Sequence, residues 1–297
     1  MHPLVSVIVP SYNHARFIEK RLRSILEQSY QNFELIILDD VSPDNSREII
    51  EQYKYHSKVS HVVFNIDNSG STFKQWNKGI ELARGQYIWI AESDDVAETD
   101  FLAQMVEVLK DNDEVAIAFC QSSKMDEQDK VTGSWLEWTE SLKGSDKFNK
   151  SFLMEGSRFI NDYLIYRNVI PNASAVVFRK DIYLKVGGAT VNLRTNGDWE
   201  LWLKMLMIGK VYYCNKIMNN FRYHKGSVIA KASNNHGKKF KTNSRLMKND
   251  IDMRNYFSQY LINNFSGMTI ISKLNAKKTK KSLLFFYFFS LFSKFFK

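Results

Sequence analysis

Gly85-Gln-Tyr-Ile-Trp-Ile-Ala-Glu-Ser-Asp-Asp95 is an apolar strand that ends in acid. In an open α/β sheet, ligands gather beyond the carboxyl ends of the strands. Hard carboxylate oxygens placed there suit Mg2+ or Mn2+ held against substrate phosphates. Two aspartates alone would sooner fit a solvated turn before a helix, so the surrounding chain has to decide.

Short β-branched runs at 5–9, 34–38, 59–65, 87–91 and 115–120 alternate with helical periodicity. That pattern predicts a mostly parallel sheet covered by helices. Ile18, Leu22, Ile25 and Leu26 lay one apolar stripe along the first helix. Further helices are expected at 46–55, 72–83 and 99–110, with Ser42 or Asp44 as the cap of the first of them. From 121 to 152 the order dissolves into polar residues around Trp135 and Trp138, an insertion expected to move or to face an acceptor. Regularity returns with a helix at 155–166, a strand at 174–178, a helix at 198–208 and strands at 211–214 and 220–224. There is no internal repeat, and no apolar run approaches the roughly 20 residues that span a bilayer.

With 297 residues and 44% apolar content, the chain can bury a substantial core. Cys120 and Cys214 lie in apolar runs and read as buried thiols of a reducing compartment. Met1-His-Pro3 offers no signal sequence ahead of the first strand, so a cytoplasmic location is expected. The net charge of +9 is unevenly spread. From Lys231 onward 14 Lys or Arg face 2 Asp or Glu, a local +12 that leaves residues 1–230 at −3. The presumptive body is therefore not basic, which speaks against a nucleic-acid partner, and the basic carboxyl-terminal part points instead to an anionic surface as its partner. Residues 285–297 hold seven phenylalanines, and Lys277, Lys278, Lys280 and Lys281 precede them. Drawn as a helix, 277–297 suits a membrane interface with anionic lipid; the alternative is a terminal helix docked on the body or on a second copy.

Three acidic sites follow apolar strands or open helices: Asp39-Asp40, Glu92-Ser-Asp-Asp95 and Asp198-Trp-Glu200. Four segments then carry a family likeness. They are Val5-Ser-Val-Ile-Val-Pro-Ser-Tyr-Asn13, Leu35-Ile-Ile-Leu-Asp-Asp40, Asn77-Lys-Gly-Ile-Glu-Leu-Ala-Arg-Gly-Gln-Tyr-Ile88 leading to Ser93-Asp-Asp95, and Gly197-Asp-Trp-Glu-Leu-Trp-Leu203. In this order and spacing, over about residues 4–230, the chain resembles the family-two inverting glycosyltransferases, which move a sugar from a nucleotide-sugar to an acceptor hydroxyl.

The resemblance implies a GT-A fold, with a Rossmann-like, mostly parallel central sheet flanked by helices and a C-terminal helical extension. It implies a nucleotide-sugar-binding half at 1–120, an acceptor-binding half at 121–230 and a basic extension at 231–297. Pro10, Tyr12, Asp40 and Asp94 are expected to face the nucleotide-sugar, most naturally a uridine diphosphate sugar. Asp95 and His224 are expected to hold a divalent cation, Mn2+ or Mg2+, although Ser93 stands where many relatives have a further Asp. Asp198 matches the family's general base. The implied acceptor is a glycan or lipid-linked glycan at the cytoplasmic face of the membrane.

Plainer readings stand beside these. Pro10 also suits a strand end, Tyr12 a packing role, Asp198 a helix start, and His224 a hydrogen-bonded strand end. A sugar-phosphate nucleotidyltransferase would share the sheet but needs a glycine-rich loop where Pro10-Ser-Tyr-Asn13 stands. A silent glycan-binding scaffold would have no use for Asp40, Asp95 and Asp198 together.

Overall fold

All seven residues of Val5–Ser11 are buried, as in a strand covered on both faces. This is β1 of the computed structural model, which describes residues 5–142, 144–193, 195–227 and 239–265. After it come α1 (Ala15–Leu26), β2 (Phe33–Asp39), α2 (Ser46–Tyr53), β3 (Val59–Phe64), α3 (Thr72–Leu82) and β4 (Tyr87–Ile90). β1 pairs in parallel with β2 and β4, and β2 with β3, which gives the order β3-β2-β1-β4. Pairing with β2 continues to Ser11 opposite Asp39, whereas pairing with β4 stops at Ile8 opposite Ile90. β1 and β4 thus part just before Pro10, whose missing N–H interrupts no ladder bond there. The result is a crevice at the topological switch point, where such sheets bind ligands.

The second half adds β5 (Val96–Ala97), α4 (Phe101–Asp111), β6 (Val115–Met125), β7 (Val131–Ser134), β8 (Phe152–Glu155), α5 (Gly156–Phe159), β9 (Val176–Arg179), α6 (Lys180–Lys185), α7 (Gly197–Leu206), β10 (Lys210–Arg222) and α8 (Lys239–Asn264). β9 runs antiparallel between β4 and β6, and β10 runs parallel to β6. Strand side chains alternate between two cores. One face gathers Val7, Ile18, Leu22, Leu35, Trp89 and Met105. The other gathers Ile8, Leu38, Trp76, Trp202 and Tyr213, together with Met253, Phe257 and Leu261 of α8. α8 therefore belongs to the same core as the sheet.

Local expectations differ from the structure in identifiable ways. The helix expected at 155–166 is broken: Glu155 closes β8, and α5 passes into a π turn at Ile160–Leu164. The strands expected at 211–214 and 220–224 are one strand, β10, whose register slips between Cys214 and Asn219. The stretch 121–152 is more ordered than its polarity suggests, because β6 runs on to Met125 and β7 turns back on it. The N-cap position of α2 is Asn45, which makes no side-chain cap bond; of the two expected caps, Asp44 accepts from the Ser46 amide that opens the helix and Ser42 does not. Cys120 and Cys214 are buried free thiols, and burial pushes the Cys120 thiol up. The expected tail helix at 277–297 lies outside the described residues. Among the described residues no helix is long and apolar enough to cross a membrane.

Candidate active site

The loop after β1 is fixed by the loop after β2. Ser42 Oγ accepts from the Asn13 amide at 3.0 Å, Ser46 Oγ from His14 at 3.2 Å and Asp44 Oδ2 from Ala15 at 2.8 Å. These contacts satisfy N–H groups that the start of α1 leaves open; Asp44 Oδ1 also accepts from the Ser46 amide at 3.1 Å, so Asp44 serves the starts of both α1 and α2, whereas Ser42 serves α1. Asn13 and Val41 both take positive φ, 60° and 63°. For a β-branched valine this is strained backbone beside the crevice. Tyr12 is left half exposed, whereas Pro10 is buried.

Asp40 is buried at the end of β2 and surrounded by donors. Its Oδ1 accepts from Asn65 Nδ2 at 2.6 Å, the Ser69 amide at 2.8 Å and Gln75 Nε2 at 3.0 Å, while Oδ2 accepts from Ser69 Oγ at 2.8 Å. Its carboxylate thereby ties β2 to the loop leading into α3. Asp39 Oδ1 and Ser11 Oγ are buried polar atoms without partners at the same sheet edge.

The acid turn after β4 is clamped from both sides. Glu92 Oε1 accepts from Trp76 Nε1 at 2.9 Å, and the Glu92 amide donates to Ser174 Oγ at 3.1 Å. Arg222, at the end of β10, donates its amide to Asp95 Oδ1 at 2.9 Å and its Nε to the Asp94 carbonyl at 2.7 Å. Beneath lies Arg21 of α1, fully buried over Trp89 at 4.7 Å, with none of its guanidinium nitrogens hydrogen-bonded. Burial lowers it to about 10 despite the pull of Asp95, Asp94 and Glu92. Burial and the Asp94 charge push Glu92 up to about 8 and Asp95 up to about 7. Burial also opposes ionisation of Asp94, but its hydrogen bond from His224 and the nearby His14 and His224 charges outweigh this and hold it below the usual carboxylate range.

His14, Asp94 and His224 bring three potential ligand atoms within 4.8 Å of one another. His224 Nε2 lies 3.0 Å from Asp94 Oδ2, and the two imidazoles meet edge to face at 5.1 Å. Two imidazoles and one ionised carboxylate suit Mn2+ or a similar borderline cation. Of the two expected metal ligands, His224 belongs to this triad. Asp95 does not: it is 1% exposed, Oδ1 is taken by the Arg222 amide, and Oδ2 is buried beside Ser174 without a well-formed hydrogen bond. The sequence reading missed His14, whose only signal was its place after Tyr12-Asn13 at the end of β1.

Asp198 stands in the first turn of α7, after Asn196 in the left-handed conformation with φ 64°. Gly197 is required by close approach, since a Cβ there would strike the Phe73 ring. Asn168 Nδ2 donates to Asp198 Oδ2 at 3.0 Å. Burial raises the Asp198 carboxyl above its ordinary value, partly offset by its hydrogen bonds from Trp199 and Asn168. Glu200 is committed elsewhere, pairing with Lys204 at 3.1 Å and accepting from Thr190 Oγ1 at 3.0 Å. α3 links the two acid sites: Trp76 holds Glu92, and Phe73 lies against Gly197.

A family model described as "Glycosyl transferase family 2" matches residues 6–168. The teichuronic acid biosynthesis glycosyltransferase TuaG of Bacillus subtilis, its assignment putative by name, is 30% identical over 228 residues, which is 76% of this chain and 81% of that protein. Glycosyltransferase GlyG of Streptococcus pneumoniae is 25% identical over 243 residues, 77% of this chain and 74% of that one. Among solved structures, S. aureus TarS 1–349 in complex with UDP-GlcNAc superposes with a TM-score of 0.69 at 16% identity, over 95% of this chain and 73% of that one. The mannosyltransferase PcManGT of Pyrobaculum calidifontis, with GDP-Man and Mn2+, gives 0.57 at 17% identity, over 94% and 70%. These structural likenesses establish the GT-A-type fold.

Proposed function

Because the chain belongs to glycosyl transferase family 2, we propose that it transfers a sugar from a uridine diphosphate sugar to a glycan hydroxyl, with inversion, in the assembly of a bacterial surface polysaccharide. The observation that carries this reading is the position of the His14–Asp94–His224 triad beyond the ends of β1 and β4, at the switch-point crevice. The relative named for teichuronic acid biosynthesis and the TarS structure with UDP-GlcNAc support the substrate classes. The Mn2+ in the PcManGT structure supports a divalent cation.

Each residue then has a task. Pro10 and Tyr12 border the base, and Asp40 keeps the β2 end rigid beside it. Asp94 with His14 and His224 would hold the cation, which when bound supplies positive charge against the departing diphosphate. Asp198 removes the proton of the acceptor hydroxyl as that oxygen bonds to the anomeric carbon and the bond to the diphosphate breaks. Residues 1–120 serve the donor and 121–230 the acceptor. The basic tail holds the protein at the cytoplasmic membrane face.

The test is a panel of nucleotide-sugars assayed for hydrolysis with Mn2+ and with chelator. A UDP-sugar should be turned over in a metal-dependent way by the parent protein and far more slowly by Asp94→Asn. Turnover of no UDP-sugar, or equal turnover under chelation, contradicts the reading.

A further inference from the structure

The polar stretch around Trp135 and Trp138 lies next to the base. Trp138 Nε1 donates to the Asn168 carbonyl at 2.9 Å, and the Asn168 side chain donates to Asp198. The Trp138 ring is therefore anchored one residue from the group that takes the acceptor's proton, yet it is 45% exposed. An indole held rigid and open to solvent offers a sugar ring a flat apolar surface with little ordering cost. Trp135 meets Trp138 edge to face at 6.1 Å, and its Nε1 is a buried donor without an acceptor.

Beside this ledge stands a cation that pairs with no acid among the described residues. The Arg167 guanidinium lies 4.4 Å above the Trp138 ring and donates to the Trp138 carbonyl. Unlike Arg21, which is also unpaired among the described residues but fully buried, Arg167 is partly exposed. The nearby Lys124 is already paired with Glu137 at 2.8 Å. A stacked guanidinium with unused N–H groups matches a carboxylate or phosphate by its planar fork.

We propose that Trp138 and Arg167 form the acceptor subsite, and that it takes a sugar carrying an anionic group, carboxylate or phosphate, with the ring on Trp138 and the anion at Arg167. This rests on the glycosyl-transfer reading and adds to it the chemical class of the acceptor.

The experiment measures binding of methyl β-D-glucuronide, glucose 6-phosphate and methyl β-D-glucoside by ligand-observed NMR to the full chain saturated with UDP and diamagnetic Mg2+. At least one anionic probe should bind about fivefold or more tightly than the neutral glucoside, as expected for a partly exposed charged hydrogen bond. Which of the two does so tells carboxylate from phosphate. Arg167→Gln should abolish the preference, Arg167→Lys should keep part of it, and Trp138→Ala should weaken all binding. UDP affinity should stay at the parent's value in each variant. Equal affinity of the parent for neutral and anionic probes overturns the proposal, as does a preference that survives Arg167→Gln. If the parent fails to bind UDP, the glycosyl-transfer reading and the subsite fall together; if UDP binds and no preference appears, only the subsite falls.

Discussion

Asp198 carries both a helix start and the proposed chemistry, and the two can be separated by experiment. Asp198→Asn keeps the size and the hydrogen-bonding capacity of the first turn but cannot take a proton. Turnover should fall by roughly two to four orders of magnitude while UDP binding is retained; parent-like turnover in a folded variant removes Asp198 from the role. The pH profile gives a second handle. A base must be ionised, and burial raises this carboxyl, so the acid limb should lie above the range of an ordinary aspartate, about 3.9. Asn168 donates to the charged form, so Asn168→Ala should move the limb further up; a limb that stays put contradicts the assignment. The sequence made Asp40, Asp198 and the acid turn legible, because each ends an apolar strand or opens a helix. It could not tell Asp94 from Asp95. Which of two consecutive acids faces the crevice depends on the Arg222 amide, which binds Asp95 from a strand more than a hundred residues away. His14 was illegible for the same reason, since its partners arrive from β4 and β10.

At the scale of elements, α3 is the brace between the two halves of the site. Its Trp76 holds Glu92 and its Phe73 packs where Gly197 leaves no room for a side chain. Gly197→Ala should push the Phe73 ring aside at a cost of about 1–3 kcal/mol and displace Asp198, the proposed base. Thermal unfolding and turnover should both drop, and Phe73→Leu in the same chain should restore part of each. Unchanged stability in Gly197→Ala would mean that the close approach does not constrain α7. The parallel half of the fold was readable because β1, β2 and β4 are short runs rich in Val, Ile and Leu or aromatic residues, separated by periodic helices. Past Cys120 legibility fails where tertiary contacts override local pattern. Asn215 and Lys216 interrupt β10 with polar residues, yet the strand continues through a change of register against β6. Gly156 opens α5 directly after β8, at a point where a side chain would meet the Leu206 and Gly209 carbonyls.

Over the whole molecule, charge and core divide differently. The core extends through α8, whose Met253, Phe257 and Leu261 are fully buried. The charge divides at about Lys231, with −3 before it and +12 after it. A chain of this kind should sediment with anionic vesicles and less so at high salt, where the lysine contribution is screened. A version ending at Ala276 should stay in the supernatant; sharply reduced stability on truncation would instead indicate a docked tail. Donor binding at the crevice is the claim on which the rest depends, and calorimetry of UDP with and without Mn2+ tests it most directly. Mn2+ should tighten UDP binding in the parent and in Asp95→Asn, and should do little in Asp94→Ala. UDP binding that ignores Mn2+ in the parent, or that gains equally from it in Asp94→Ala, would contradict the account.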